Sequence, residues 1–203
     1  MLNLRLANEA DCPDLVQLFD LSNNGLSRFS FAAMAPPGVD WAAYGAAMMA
    51  RSDVEYSYAN AIIAEWDGAL AGMMIYAVHP EIMPPVDAQS IAATDRAFLV
   101  LKQQTGGALY LRNMAVFPEF RGRRIGEALV SATIGAGVRI GLTAVTAIVH
   151  ETNTLLLAHY AKRGMAEIAR HPVLEHPSYA ADSTWILLKG DANRAMKLKD
   201  KAG

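Results

Sequence analysis

The chain has 203 residues, 53% of them apolar and 19% charged, with a formal net charge of −2. That length and composition suffice for one sizeable core and exclude a disordered chain, while the near-neutral charge argues against broad electrostatic binding of nucleic acid, which needs many phosphate contacts. Apolar runs break well before the roughly 18 residues of a membrane span, and the single cysteine, Cys12, excludes an internal disulfide or a cysteine-built zinc cluster.

Leu2, Leu4 and Leu6 alternate as a strand and lack the apolar region of a signal peptide, so the expected location is the cytoplasm. Asn8 can cap a helix from Glu9 to Ser22, with Asp11 in its first turn and Leu15, Leu18 and Phe19 on one face. Cys12, near the start of that helix, reads as a buried structural thiol. The segment from Asn23 to Gly38 carries Asn-Gly and Pro-Pro breakers and is expected to be flexible, before a helix from Val39 to Met49. Two strands, Ala59 to Trp66 and Ala69 to Val78, flank Asp67-Gly68, a strong hairpin signal. Pro80, Pro84 and Pro85 then delay the next helix, expected from Asp87 to Gln104.

Ala108 to Phe117 reads as a strand and Arg123 to Gly137 as the following helix; strand Leu142 to Val149, helix Thr152 to Arg163, and strands Met165 to Arg170 and Thr184 to Lys189 complete the order. This alternation favours an α/β chain of mixed α+β type, a sheet covered by helices. One domain is expected over residues 1–190, with a basic C-terminal tail at 191–203.

The most informative stretch runs from Val116 to Val130, where an apolar strand meets an amphipathic helix through an Arg/Gly turn. The first N–H groups of a helix have no intrahelical acceptor and carry partial positive charge, so a diphosphate can meet them. Glycine permits close approach, and Arg121, Arg123 and Arg124 add charge around one small polyanion.

Arg121, Gly122, Arg123, Ile125 and Gly126 resemble the acetyl-CoA-binding segment Arg/Gln-x-x-Gly-x-Gly/Ala of the GNAT superfamily of N-acetyltransferases. Arg124 stands where that family has its central glycine. A second segment downstream, with Asn153, Tyr160, Gly164 and Met165, is similar to the family's Asn…Tyr…Gly-Phe pattern, Met165 replacing the aromatic residue. The resemblance runs from about Tyr110 to Met165. It implies a GNAT-like fold, with a central mixed, mostly antiparallel sheet flanked by helices and two splayed parallel strands. It also implies acetyl-CoA as acyl donor and a small-molecule or peptide amine as acceptor.

By the same resemblance, backbone groups of Met114, Ala115 and Val116 pair with the pantetheine arm, and the turn Arg121, Gly122, Arg123, Arg124, Ile125 and Gly126 holds the diphosphate. Asn153 binds pantetheine or caps its helix, and Tyr160 donates a proton to the departing thiolate. The family often places an acid at the strand positions held here by Arg112 and Asn113, neither of which can serve as a base. His150 is the candidate base, since imidazole accepts a proton near neutral pH; Glu151, Glu65 and His79 are weaker options. The histidines form no metal-ligand pattern, and no metal is expected. No nucleic-acid or membrane partner is expected, and the state is a monomer or homodimer. The alternative is a non-enzymatic acyl-CoA-binding regulatory or interaction module.

Overall fold

Alternating apolar residues at the start of the chain become an edge strand. In this computed structural model, which describes residues 1–86, 93–173, 180 and 183–197, β1 (Leu2–Leu6) pairs antiparallel with β2 (Ala61–Trp66), Leu2 opposite Trp66. β2 returns as β3 (Ala69–Val78) through Asp67 and Gly68, whose φ values are 50° and 85°. Positive φ at both central residues is the type I′ geometry that follows the twist of the flanking strands, which is why Asp-Gly marks the hairpin.

Asn8 caps a short 3-10 turn, Glu9–Asp11, that leads into α1 (Cys12–Ser22). Both Arg5 Nη atoms donate to the Asp11 carboxylate at 2.8 Å, and Arg5 Nε donates to Glu65 at 2.7 Å. This fork ties β1 to α1 and β2, and with the Asn8 amide it holds the Asp11 carboxyl below its usual range. Cys12 is buried, and burial pushes its thiol pKa up.

The segment expected to be flexible contains α2 (Leu26–Met34). Its breakers sit at the helix ends: Asn24 and Gly25 take left-handed φ values of 52° and 82° before it, and Pro36 and Pro37 follow it. The nine residues between contain neither glycine nor proline, and Phe31 is buried. α3 (Trp41–Met49) starts later than Val39 because Asp40 is its N-cap, accepting from the Ala42 and Ala43 N–H groups.

Contacts cluster into two compact units, Met1–Ala77 with Arg112–Thr133, and Val78–Leu111 with Ile134–Gly203. The first holds a core of Leu15, Val16, Leu18 and Phe19 from α1, Phe31 from α2, Met49 from α3, and Ile63, Met73, Ile75 and Ala115 from the strands. In the second, Leu109–Leu111 of β4 (Leu109–Val116) pair parallel with Val145–Ala147 of β5 (Ala144–His150). β5 pairs antiparallel with β7 (Thr184–Asp191), which pairs antiparallel with β6 (Ala166–Pro172). α4 (Ala93–Lys102) packs against β5, β6 and β7; the expected cap Asp87 lies outside the described residues. α6 (Thr154–Lys162) follows β5.

The last described helix, α7 (Ala192–Lys197), falls in the expected basic tail, yet Ala192 and Ala195 are buried and the helix packs on β5 and β7. Strand order is β1-β2-β3-β4-β5-β7-β6, a mixed, mostly antiparallel sheet with a parallel strand pair and flanking helices. Among the described residues no helix is long and apolar enough to cross a membrane.

Candidate active site

β4 delivers the chain to the Arg/Gly turn. Phe117 leads into a 3-10 turn, Pro118–Phe120, and Arg121 then lies extended with its Nε donating to the Val116 carbonyl at 3.2 Å. Gly122 has φ 78° and Arg124 φ 58°, and α5 (Ile125–Arg139) begins directly afterwards. The Ala128 N–H donates to the Arg124 carbonyl, so the helical ladder starts there and the first-turn amides, among them those of Ile125 and Gly126, precede it. The expected helix start at Arg123 therefore moves to Ile125. Left-handed Arg124 stands between, and a right-handed helix cannot pass through it.

That geometry accounts for a glycine at this position, where the chain carries Arg124 instead. The position of Arg124 requires left-handed backbone, which costs a residue with a Cβ about 1–2 kcal/mol. Arg121, Gly122, Arg123 and Arg124 are all exposed, whereas Ile125 is buried and anchors the helix start. A Cβ on Gly126 would meet the Met114 side chain at 3.5 Å, an ordinary contact, so packing within the chain does not demand glycine there. The absent side chain leaves the backbone of the first turn open to a ligand. Arg123 has a second partner: its guanidinium carbon lies 4.9 Å from the Trp66 ring centroid and 5.7 Å from that of Phe120. It fastens the turn to the β2–β3 hairpin as well as adding charge.

Upstream on the same strand, Arg112 and Asn113 form a cluster without a local sequence signal. Arg112 Nε donates to Glu55 at 2.9 Å, Arg112 Nη1 donates to Asn113 Oδ1 at 2.5 Å, and the guanidinium lies 5.6 and 5.5 Å from the Phe19 and Tyr56 rings. Asn113 Nδ2 donates to Ser22 Oγ and Asn23 Oδ1, both at 2.9 Å, and Asn23 Nδ2 donates to Ser27 at 2.8 Å. The cluster therefore links β4, the end of α1, the start of α2 and the loop before β2. Burial pushes the neighbouring Tyr56 phenol pKa up. Glu55 is the charged residue that sequence reading missed, because its partner lies 57 positions away.

In the second unit, Tyr160 on α6 is 2% exposed, and burial raises its phenol pKa well above the ordinary tyrosine value, while Arg163 works in the opposite direction. The ring meets His159 edge-on at 5.7 Å. Asn153 Oδ1 accepts from the Leu156 N–H at 3.2 Å, so its carbonyl end caps α6. His150 ends β5 with Nδ1 2.8 Å from Thr152 Oγ1 and Nε2 2.9 Å from Ser183 Oγ. The Ser183 hydroxyl donates to the Ala180 carbonyl and so accepts from His150 Nε2–H; the imidazole lone pair then lies on Nδ1, facing Thr152.

Of the weaker base candidates, Glu65 and His79 have side-chain partners. Glu65 accepts from Arg5 and Asn3. His79 Nδ1 lies 2.5 Å from Thr105 Oγ1, and its ring stacks on Tyr110 at 5.0 Å. The Glu151 N–H donates to the Thr184 carbonyl. Among the described residues no three His, Cys, Asp or Glu side chains gather as a metal site.

Comparison with known proteins gives the arrangement a family. The model of the acetyltransferase (GNAT) family matches residues 28–165. No curated protein sequence matches the chain. Among solved structures, the N-acetyltransferase from Staphylococcus aureus Mu50 has 13% identity and a TM-score of 0.62, covering 93% of this chain and 100% of that one. The ribosomal-protein-S18-alanine N-acetyltransferase from Escherichia coli has 13% identity and a TM-score of 0.59, covering 100% and 99%. The ribosomal-protein-alanine N-acetyltransferase from Brucella melitensis has 17% identity and a TM-score of 0.60, covering 93% and 99%. At these identities the structures establish a shared fold, and the family match supplies the activity class: the chain belongs to the GNAT acetyltransferase family and is an acetyl-CoA-dependent acetyltransferase.

Proposed function

We propose that this enzyme is an N-acetyltransferase that moves the acetyl group of acetyl-CoA to a primary amine by direct attack on the thioester. The observation that carries the reading is the β4–turn–α5 geometry: two left-handed residues, exposed arginines and the first turn of a helix whose Gly126 leaves room beside the backbone. These groups fit a diphosphate, which needs converging N–H donors and positive charge. Backbone groups of Met114, Ala115 and Val116 would hold the pantetheine arm. When bound, acetyl-CoA supplies an acetyl group activated as a thioester.

The chain's own residues handle the protons. Tyr160 stays protonated throughout the physiological range because burial disfavours its anion, so it can donate to the departing thiolate. His150 is the proposed base: Nδ1 carries the lone pair, and taking the amine's proton there requires exchanging its Thr152 partner. The Asn153 amide nitrogen, opposite the carbonyl used for capping, is the proposed donor to pantetheine. The test is thiol release from acetyl-CoA across an amine library, paired with calorimetric coenzyme A binding. Amine-dependent release supports transfer. Tight coenzyme A binding with no release from any amine would favour the acyl-CoA-binding module.

A further inference from the structure

We propose that the Nη2 edge of Arg112 binds the carboxylate of the acceptor, which makes the acceptor a small amino carboxylate such as an α-amino acid rather than a polycationic amine. The inference rests on the acetyltransferase reading in taking the Arg112 cluster to face the acceptor. Arg112 lies on β4 four residues before Val116, about 13 Å of extended chain from the end of the strand that leads to the Arg/Gly turn.

The guanidinium is held before any ligand arrives. Its side chain is 19% exposed, and its plane is flanked by Phe19 and Tyr56. Nε is committed to Glu55 and Nη1 to Asn113, while Nη2 has no partner among the described residues. An unclaimed N–H pair on a fixed guanidinium is a ready donor edge, and a carboxylate is the acceptor that it fits best. An arginine already fixed in place loses little further freedom on binding.

Charge separates the acceptor classes. Asp20 is paired with Arg28 at 2.7 Å, Asp53 with Arg51 at 2.6 Å and Glu55 with Arg112 at 2.9 Å. A polycation approaching this part of the unit finds these three carboxylates neutralised and a guanidinium edge in the same cluster. A zwitterionic amino acid offers that edge its own counter-charge and brings a single amine.

The test uses the full chain and the twenty α-amino acids, each beside its carboxamide, with spermidine as the polycation. Two readouts are needed: KM for thiol release from acetyl-CoA, and calorimetric binding of the acceptor with coenzyme A present. At least one amino acid should bind, with a KM and a dissociation constant roughly 10- to 100-fold below those of its carboxamide, the range for a charge-assisted hydrogen bond. Arg112→Gln should erase that preference and leave the coenzyme A dissociation constant unchanged. Arg112→Lys, which keeps the charge beside Glu55 without the forked edge, should retain only part of it and guards against a folding defect in the glutamine variant. Carboxamides or spermidine favoured over every amino acid, no amino acid binding at all, or a preference that survives Arg112→Gln in folded protein would overturn the proposal. Arg112-dependent amino acid binding without thiol release would keep it and remove the transferase reading. Thiol release confined to amines without a carboxylate would do the reverse.

Discussion

The turn at Arg121–Gly126 and the cluster around Arg112 belong to one strand and its extension, yet they are held in opposite ways. In the turn, Arg121 through Arg124 are exposed, and the shape comes from backbone angles: Gly122 and Arg124 in left-handed conformation and an abrupt helix start at Ile125. In the cluster the backbone is ordinary strand, and the shape comes from side chains that satisfy one another across four elements. The difference teaches where function tolerates substitution. A site made of backbone accepts many side chains at moderate cost, whereas a site made of interlocking side chains fails when one member changes.

The largest expected effect belongs to a buried side chain proposed to donate a proton. Tyr160→Phe keeps the ring and removes the hydroxyl, so coenzyme A binding should persist while single-turnover transfer slows by roughly 10²–10⁴-fold. Because thiolate is a fair leaving group, the lower end is expected. A transfer rate equal to that of the unaltered enzyme would leave Tyr160 as packing, and loss of coenzyme A binding would make it part of the binding site.

The cluster itself is next. Asn113→Ala removes the acceptor for Arg112 Nη1 and the donor to Ser22 and Asn23 in a region where Asn113 is 9% exposed. The expected loss is about 1–3 kcal/mol for buried groups left without partners, read as a fall of the melting midpoint by about 2–4 °C per kcal/mol. Asn113→Asp should retain the acceptor but lose both donations, and so fall between the two. An unchanged midpoint in the alanine variant would mean that water replaces the amide freely and the interlocking is illusory.

This contrast also separates what the sequence could reveal from what it could not. The turn is legible because strand, Arg/Gly run and amphipathic helix are contiguous, and because the Asn153 to Met165 segment recurs at the right distance downstream. The hairpin is legible for the same reason, Asp67 and Gly68 being the residues that a type I′ turn favours. The cluster is not, since Glu55 meets Arg112 across 57 positions and Ser22 meets Asn113 across 91. Periodicity within a window carries no information about such pairs. The helix within Asn23–Gly38 is hidden for a different reason: the Asn-Gly and Pro-Pro breakers suggest a flexible segment, but they mark the two ends of α2.

Smaller effects are expected in the turn, and on binding before stability. Arg121→Glu reverses one exposed charge and removes its contact to the Val116 carbonyl. Coenzyme A affinity should fall by roughly 10- to 100-fold, the range for losing a charge-assisted hydrogen bond, with the melting midpoint nearly unchanged because the residue is exposed. Raised salt should narrow the gap between variant and parent, since exposed charges are screened. A dissociation constant indifferent to both the substitution and salt would take Arg121 out of the diphosphate site.

The smallest effect is the sharpest test of the backbone argument. Arg124 holds φ 58°, where glycine pays no Cβ penalty. Arg124→Gly should therefore remove about 1–2 kcal/mol of left-handed strain, offset by about 0.4–1 kcal/mol for the greater freedom glycine gives the unfolded chain. The expected net is a small stabilisation, a rise of a few degrees at most in the melting midpoint. Coenzyme A binding then reports the side chain separately from the backbone. If affinity holds or improves, the amides around Ile125 carry the diphosphate and the arginine is incidental. If affinity falls while stability rises, the guanidinium reaches the ligand, and the strain at this position is retained for the charge it presents. A fall in both would mean that the left-handed turn is held in place by the Arg124 side chain itself, contrary to a turn shaped by its backbone.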